Sequence, residues 1–308
     1  MSTAAVADTA RSALGPVGVY LPVPFNTAIS IGAQREAVGR LELAGYRAAW
    51  INEGIGGKDA LVQVAILLAG TKRMAYGTGI ANIWARQPQT AHGASALLAQ
   101  AYPGRFVLGL GVGYPEQAAS TGQDFGRPLT TMRNYLERMA TPGMMPAPEA
   151  AYPRIIAANG PKMLSLAGEL ADGAMPAMLP PEFTAQARQL LGPDKLLVVG
   201  LAVVTGTDPD TVKAAARNRV AGALGLRGSS YAAGLARLGY PARDIAEAGD
   251  RLTDAIVGYR SPAAIAAKVR EHKAAGADHV VLMPTAADFT AGLAQLEELA
   301  PALAEISR

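Results

Sequence analysis

The sequence predicts a single-domain (β/α)8 barrel, and three observations lead there. Short, wholly apolar, β-rich runs alternate with longer helical stretches along the chain, as in a parallel sheet buried on both faces. Eight such units fill 308 residues at about 38 each, enough for a strand, a helix and their turns. The first strand ends in LPVPFN, without the glycine fingerprint an open dinucleotide-binding sheet would carry there.

The elements follow in order. Residues 1–14 read as a flexible N-terminus and 15–308 as the barrel domain. Strand one is Val17–Leu21, with a helix from about Ile31 to Ala44. Strand two is Ala48–Ile51, before the helical LVQVAILLA. Met74–Ile83 precedes a helix from about Gln87 to Tyr102, and Arg105–Leu110 a weaker helix near Met132–Ala140. Arg154–Ala157 leads into KMLSLAGELA, and Gly173–Met178 into Pro181–Leu191. Leu196–Val204 is the most β-like run; His279–Met283 is the last strand, before a closing helix to Ile306. Gly45, Gly104, Gly173 and Gly276 stand between a helix and the next strand, where a helix end favours positive φ. Ser261-Pro262 supplies an N-cap and an N1 proline. The stretch from Gly222 to Gly258 makes the seventh unit too long, and predicts a helical insertion after strand seven on the face where barrels keep their sites.

Composition narrows the chemistry. Charged residues are 17% of the chain against ~25% in an average domain, so much surface is expected to be hidden in a core or subunit interface. With no cysteine there is no disulfide, thiolate nucleophile or cysteine-ligated metal. His92, His272 and His279 are the only histidines, so no metal is expected. A net charge of +3 from dispersed cations argues against a nucleic-acid face. The first thirteen residues lack the pattern of a signal peptide, and no apolar run is long enough to cross a membrane. A cytoplasmic protein with a small-molecule substrate is the expectation.

Barrel chemistry lies at the C-terminal strand ends. Among residues there, only Glu53, Glu116, Lys162 and Asp208 titrate, which suits a bound cofactor better than acid–base work by the protein alone. Glu53 after strand two reads either as a catalytic carboxylate or as a solvated loop charge. Gly109, Gly111 and Gly113 miss the dinucleotide pattern because Tyr114 takes the third glycine's place. They mark either crowding at the mouth or a planar ligand against bare backbone. Asn159-Gly160-Pro161-Lys162 opens a helix with a cation alongside, which fits an anion site or an ordinary turn. Trp84 is a pocket wall or a packing residue, and Trp50 core; Lys58, His92, His272 and His279 read as structural or solvated.

The segments GYRAAWINEG, YGTGIANIWARQP, AYPGRFVLGLGVGYPE, AANGPKMLSLAGELADGAMP and AGADHVVLM, in this order, resemble the bacterial luciferase-like superfamily. Within it they are similar to the coenzyme F420-dependent oxidoreductases of actinobacteria. The resemblance implies a luciferase-like TIM barrel, usually a homodimer, with F420 (a deazaflavin) or FMN at the C-terminal mouth. It implies a non-prolyl cis peptide at Gly79-Ile80, and cofactor contacts from Asn82, Gln117, Asn159 and Gly160, with Pro161 and Lys162 completing the phosphate turn. It also matches Glu53 to an acid that contacts the cofactor. Where many relatives have a proton-donating histidine after that acid, this chain has Gly54; Tyr114 replaces a glutamate of one branch. Glu53 and Tyr114 are therefore the expected catalytic residues, with Phe25 and Trp84 facing an apolar substrate. Hydride transfer with F420 is the first expectation. An FMN-dependent monooxygenase, a cofactor binder without turnover, and a glycosidase using Glu53 with Glu116 are its rivals.

Overall fold

Eight of the apolar runs pair in parallel and close on themselves. In the computed structural model, which describes residues 3–24, 27–225 and 230–306, the strands are β1 (Val17–Tyr20), β2 (Ala48–Ile51), β3 (Ala75–Thr78), β4 (Ala81–Asn82), β5 (Phe106–Gly111), β6 (Arg154–Ala157), β7 (Gly173–Met175), β8 (Leu196–Val203), β9 (Val257–Gly258) and β10 (His279–Pro284). The barrel runs β1-β2-β3-β5-β6-β7-β8-β10 and closes as Val17 meets Val280. The short β4 continues β3 and pairs with β5, while β9 joins the upper end of β8. The single (β/α)8 barrel expected from the sequence is the fold.

Alternation along each strand builds two layers. Ala48, Trp50, Ala75, Val107, Ile155, Met175, Val198 and Val281 fill the barrel, and the opposite parity packs beneath the helices. The interior is shaped around one large pair. Trp50 donates its indole N–H to His279 Nε2 at 3.0 Å, and His279 Nδ1 bonds the Gly15 carbonyl at 2.6 Å. Gly18 and Gly77 leave the room these rings occupy; a methyl at either position would collide with them. Loss of such a buried ring typically costs about 3–5 kcal/mol.

Two sequence expectations change. Residues Thr3–Leu14 form a helix whose Ala7, Ala10 and Leu14 join the inner cluster and close the base of the barrel, in place of a flexible N-terminus. Arg11 fixes this helix through the Pro193 and Lys195 carbonyls at 2.7 and 2.8 Å, and through Asp278 at 3.0 Å. Its amphipathic pattern is too short to stand out in the sequence. Of the four punctuating glycines, Gly45, Gly104 and Gly276 have positive φ, but Gly173 does not. It lies within β7, where a side chain would strike the Leu196 carbonyl.

The insertion after β8 comprises helices Pro209–Leu224, Ser230–Arg237, Ala242–Glu247 and Asp250–Ile256. β9 returns the chain to the sheet, and Ser261 caps helix Pro262–Ala274 by accepting from Ala264 N at 3.2 Å. Among the described residues no helix is long and apolar enough to cross a membrane, and no group of His, Asp or Glu is placed to hold a metal.

Candidate functional site at the barrel mouth

The third strand carries the centre of the site. The peptide bond between Gly79 and Ile80 is cis, where the resemblance puts it, and it separates β3 from β4. Tyr20 donates its hydroxyl to the Gly79 carbonyl at 2.7 Å. A side chain at Gly79 would press on Met175 and Tyr20 at 3.1 and 3.2 Å. The Ile80 side chain turns toward β5 and occupies the space Gly111 leaves. Gly109 makes room for the Thr78 carbonyl, and the Thr78 hydroxyl stitches the two strands through Gly109 O and N at 2.7 and 2.8 Å. Crowding therefore accounts for both glycines. Gly113, at φ +63°, turns the chain against Gln117 and Asn82.

Strand parity sorts the residues that follow β2. Trp50 points into the barrel and Ile51 away from it, so Asn52 faces inward and Glu53 outward. Glu53 is buried and accepts the Asn82 N–H at 2.6 Å and the Ala60 N–H at 3.2 Å. Arg86 binds both of its oxygens and also reaches Asp59 at 2.8 Å. Asp59 in turn caps helix Ala60–Gly70 by accepting from Leu61 and Val62. Four donors surround the Glu53 carboxylate beneath the bulge. It ties β4 to the start of that helix.

The inward-facing side is polar in a different way. The loop after β2 doubles back, with Gly54 N–H donating to Lys58 O at 3.1 Å and Lys58 N–H to Gly54 O at 2.7 Å. Lys58 Nζ donates to Asn52 Oδ1 at 2.6 Å. Burial lowers the Lys58 ammonium to a pKa of about 8. Asn52 Nδ2 is buried without a hydrogen-bond partner.

Tyr114 precedes helix Pro115–Ala119, and its N–H donates to Gln117 Oε1 at 2.9 Å. Its ring is half-buried; burial, then neighbouring Tyr231, push the phenol above its usual pKa, so it is a donor at neutral pH. Asn82 is buried and accepts the Trp84 N–H at 3.0 Å. Trp84 is held by packing and a hydrogen bond. Its ring is 7% exposed, packs against Phe125 and donates its N–H to the Val112 carbonyl at 2.6 Å. Phe25 lies outside the described residues.

After β6, Asn159 accepts the Ala177 N–H at 3.1 Å, and Gly160 leads into helix Pro161–Leu170 with Lys162 exposed on its first turn. The insertion lies over this turn. Within helix Ser230–Arg237, a side chain at Gly234 would come within 3.4 Å of the Asn159 carbonyl. Arg237 Nη2 stands 3.4 Å from where a Cβ on Gly160 would be. Tyr231, held above its usual pKa by burial, bonds Asn159, and Arg219 pulls the other way on both Tyr231 and Tyr20. The turn thus combines free helix N–H groups with a guanidinium, a donor set suited to a phosphate.

Sequence reasoning singled out the bulge, Glu53 and the phosphate turn. It passed over Tyr20, Asn52, Arg86, Arg219, Tyr231 and Arg237. Parity counted from Trp50 would have found Asn52; the insertion arginines carry no local signal. A separate apolar cleft of about 330 Å³, lined by Val6, Ala10, Phe106 and Pro153 among others, lies at the base of the barrel, away from these strand ends.

Comparison with known proteins agrees with this architecture. The chain is 28% identical over 193 residues to a 5,10-methylenetetrahydromethanopterin reductase of Methanolobus tindarius, covering 57% of each protein. It is 27% identical over 188 residues to a Mycobacterium tuberculosis protein assigned by name to the coenzyme F420-dependent oxidoreductases, covering 51% of this chain and 54% of that one. The chain thus spans about half the length of the curated relatives it matches. An F420-dependent secondary alcohol dehydrogenase, solved in complex with an F420–acetone adduct, superposes with a TM-score of 0.71 at 18% identity, covering 94% of this chain and 99% of that one. The profile of the luciferase-like monooxygenase family matches residues 15–279, and the chain belongs to that family.

Proposed function

We propose that the protein is an oxidoreductase that binds coenzyme F420 at the barrel mouth and exchanges a hydride with an organic substrate. The Asn159-Gly160 turn under Arg237 is the observation that carries this reading, because it forms a phosphate cradle on the same rim as the Gly79-Ile80 bulge. Two relatives of this chain support it: one assigned by name to F420 chemistry and one named as a reductase.

The residues present fit such a group. Asn159, Gly160 and the first turn of helix Pro161–Leu170, with Lys162 and Arg237, would hold its phosphate end. Gly79, Ile80 and Gln117 border the ring site, with Asn82 and Glu53 holding the bulge from behind. When bound, the deazaflavin supplies the carbon that gives or takes the hydride. The chain's own work is to orient, through the Tyr20–Gly79 and Glu53–Asn82 bonds, and to exclude water under the insertion. Tyr114, kept protonated by burial, presents a hydrogen-bond donor on the same rim in this reading.

Titration of the purified protein with F420 and with FMN, followed by fluorescence, tests it. Saturable F420 binding at micromolar concentration is expected, and its absence overturns the reading. The family's description as monooxygenases favours one rival, reduced FMN with oxygen; oxygen uptake on adding reduced FMN and a substrate would identify it. A homodimer belongs to the same proposal, supported by exposed Val62, Ile66 and Leu97 on two adjoining helices. Sedimentation equilibrium measures it.

A further inference from the structure

The sequence lacks a proton-donating side chain at Gly54, and the fold brings another group to that place. The Gly54–Lys58 turn is closed by two backbone bonds, so Lys58 lies beside Gly54 although three residues stand between them in the chain. Its ammonium is not directed at bulk solvent. It is bonded at 2.6 Å to Asn52, which directly follows β2 and continues the inward column of Ala48 and Trp50. Asn52 keeps a buried Nδ2 with no partner, a second polar donor on the same inward face. The charged groups on the surrounding elements are engaged with one another: Glu53 and Asp59 with Arg86.

We infer that Lys58, positioned by Asn52, is the proton donor to the substrate, and that the substrate is a carbonyl compound whose oxygen lies against the Lys58 ammonium and the Asn52 amide. The inference rests on the hydride-transfer reading above. In the reducing direction, the carbonyl carbon gains a hydride from reduced deazaflavin and the C=O π pair moves onto oxygen. That oxygen takes a proton from Lys58 Nζ; an N–H bond breaks and an O–H bond forms. The substrate is reduced by two electrons, the hydride donor is oxidised by two, and the neutral amine regains its proton from water. The reverse reaction uses the neutral amine as base. An ammonium whose proton affinity has been lowered by burial serves both directions near neutral pH, which an exposed lysine does not.

The test uses the full chain and three measurements. The first is F420 binding by wild type, Lys58→Gln and Lys58→Arg. The second is an NMR titration of the seven lysine ε-amines after isotopic methylation, with and without F420. The third is transfer from reduced F420 to cyclohexanone and 2-cyclohexenone between pH 6 and pH 9.5. Lys58 is expected to titrate near pH 8 and to shift by half a unit or more when F420 is added. Lys58→Gln keeps F420 affinity within twofold and loses kcat by about 100-fold. Lys58→Arg retains part of the activity and removes the decline of wild-type rate above about pH 8. A Lys58 resonance that titrates with the other lysines, or that F420 leaves unmoved, overturns the inference, whether or not the probes turn over. So does a Lys58→Gln variant of unchanged kcat. Failure of wild type to bind F420 overturns the underlying reading instead.

Discussion

Glu53 accepts the backbone N–H of Asn82 at 2.6 Å, so a carboxylate on one strand holds the residue two places beyond the cis peptide of the next. This bond joins the segment after β2 to the bulge of the third strand. Glu53→Gln keeps the shape but leaves the Arg86 guanidinium buried without its counter-charge. The variant is expected to lose at least about 2 kcal/mol of stability by urea unfolding, and to bind F420 more weakly. The shape of its pH–rate profile should stay that of wild type, since the proposed proton donor is Lys58.

Acid should weaken the barrel through its interior histidines. Trp50 can only donate, so His279 accepts at Nε2 and carries its proton on Nδ1, neutral and satisfied. Burial lowers both His279 and His272 to about 4, from an ordinary 6.5. On acidification the unfolded chain therefore takes up these protons first. Stability is complete above about pH 6.5 and falls as the pH drops toward about 4, by on the order of 3 kcal/mol for each group. Urea midpoints measured at pH 7.5 and pH 5 report this, and an unchanged midpoint would contradict it.

Gly111→Ala probes the bulge from the opposite strand. The added methyl would meet Ile80 Cδ1 and Cγ1 at 2.6 Å, and the β5 backbone cannot retreat without breaking its pairing with β4 and β6. A destabilisation of about 1–3 kcal/mol is expected, with a loss of F420 affinity larger than global stability explains. Thermal unfolding and fluorescence titration separate the two.

Arg237→Ala should do the reverse. The side chain is exposed, so stability is expected to hold within about 0.5 kcal/mol. F420 affinity should fall about tenfold, and the remaining binding should depend less on salt, because a charge-assisted contact to phosphate is gone. Isothermal titration at two ionic strengths measures both.

Most of the barrel was legible because its strands are local and unmixed: Leu196–Val203 is apolar throughout and has no helical reading. The phosphate turn was legible for a similar reason, as Asn-Gly-Pro-Lys sits between a strand and a helix that are each clear. What escaped was long-range. Thr3–Leu14 reads as a flexible N-terminus until the barrel base supplies a surface for Ala7, Ala10 and Leu14. The placing of Glu53 and Lys58 also escaped, because strand parity turns the acid outward and a backbone turn brings the lysine against Asn52. Arg237 is 77 residues from Gly160 in the chain, and only the folded insertion brings them together.

The helices over the mouth all lie between β8 and β9, whereas the bulge, the Glu53–Arg86 pair and the phosphate turn belong to the first six strands. The two sides of the phosphate turn are therefore encoded far apart. A graft of that stretch from a sister protein would replace Tyr231 and Arg237, which stand over Asn159 and Gly160, and leave the bulge and the Glu53–Arg86 pair as they are.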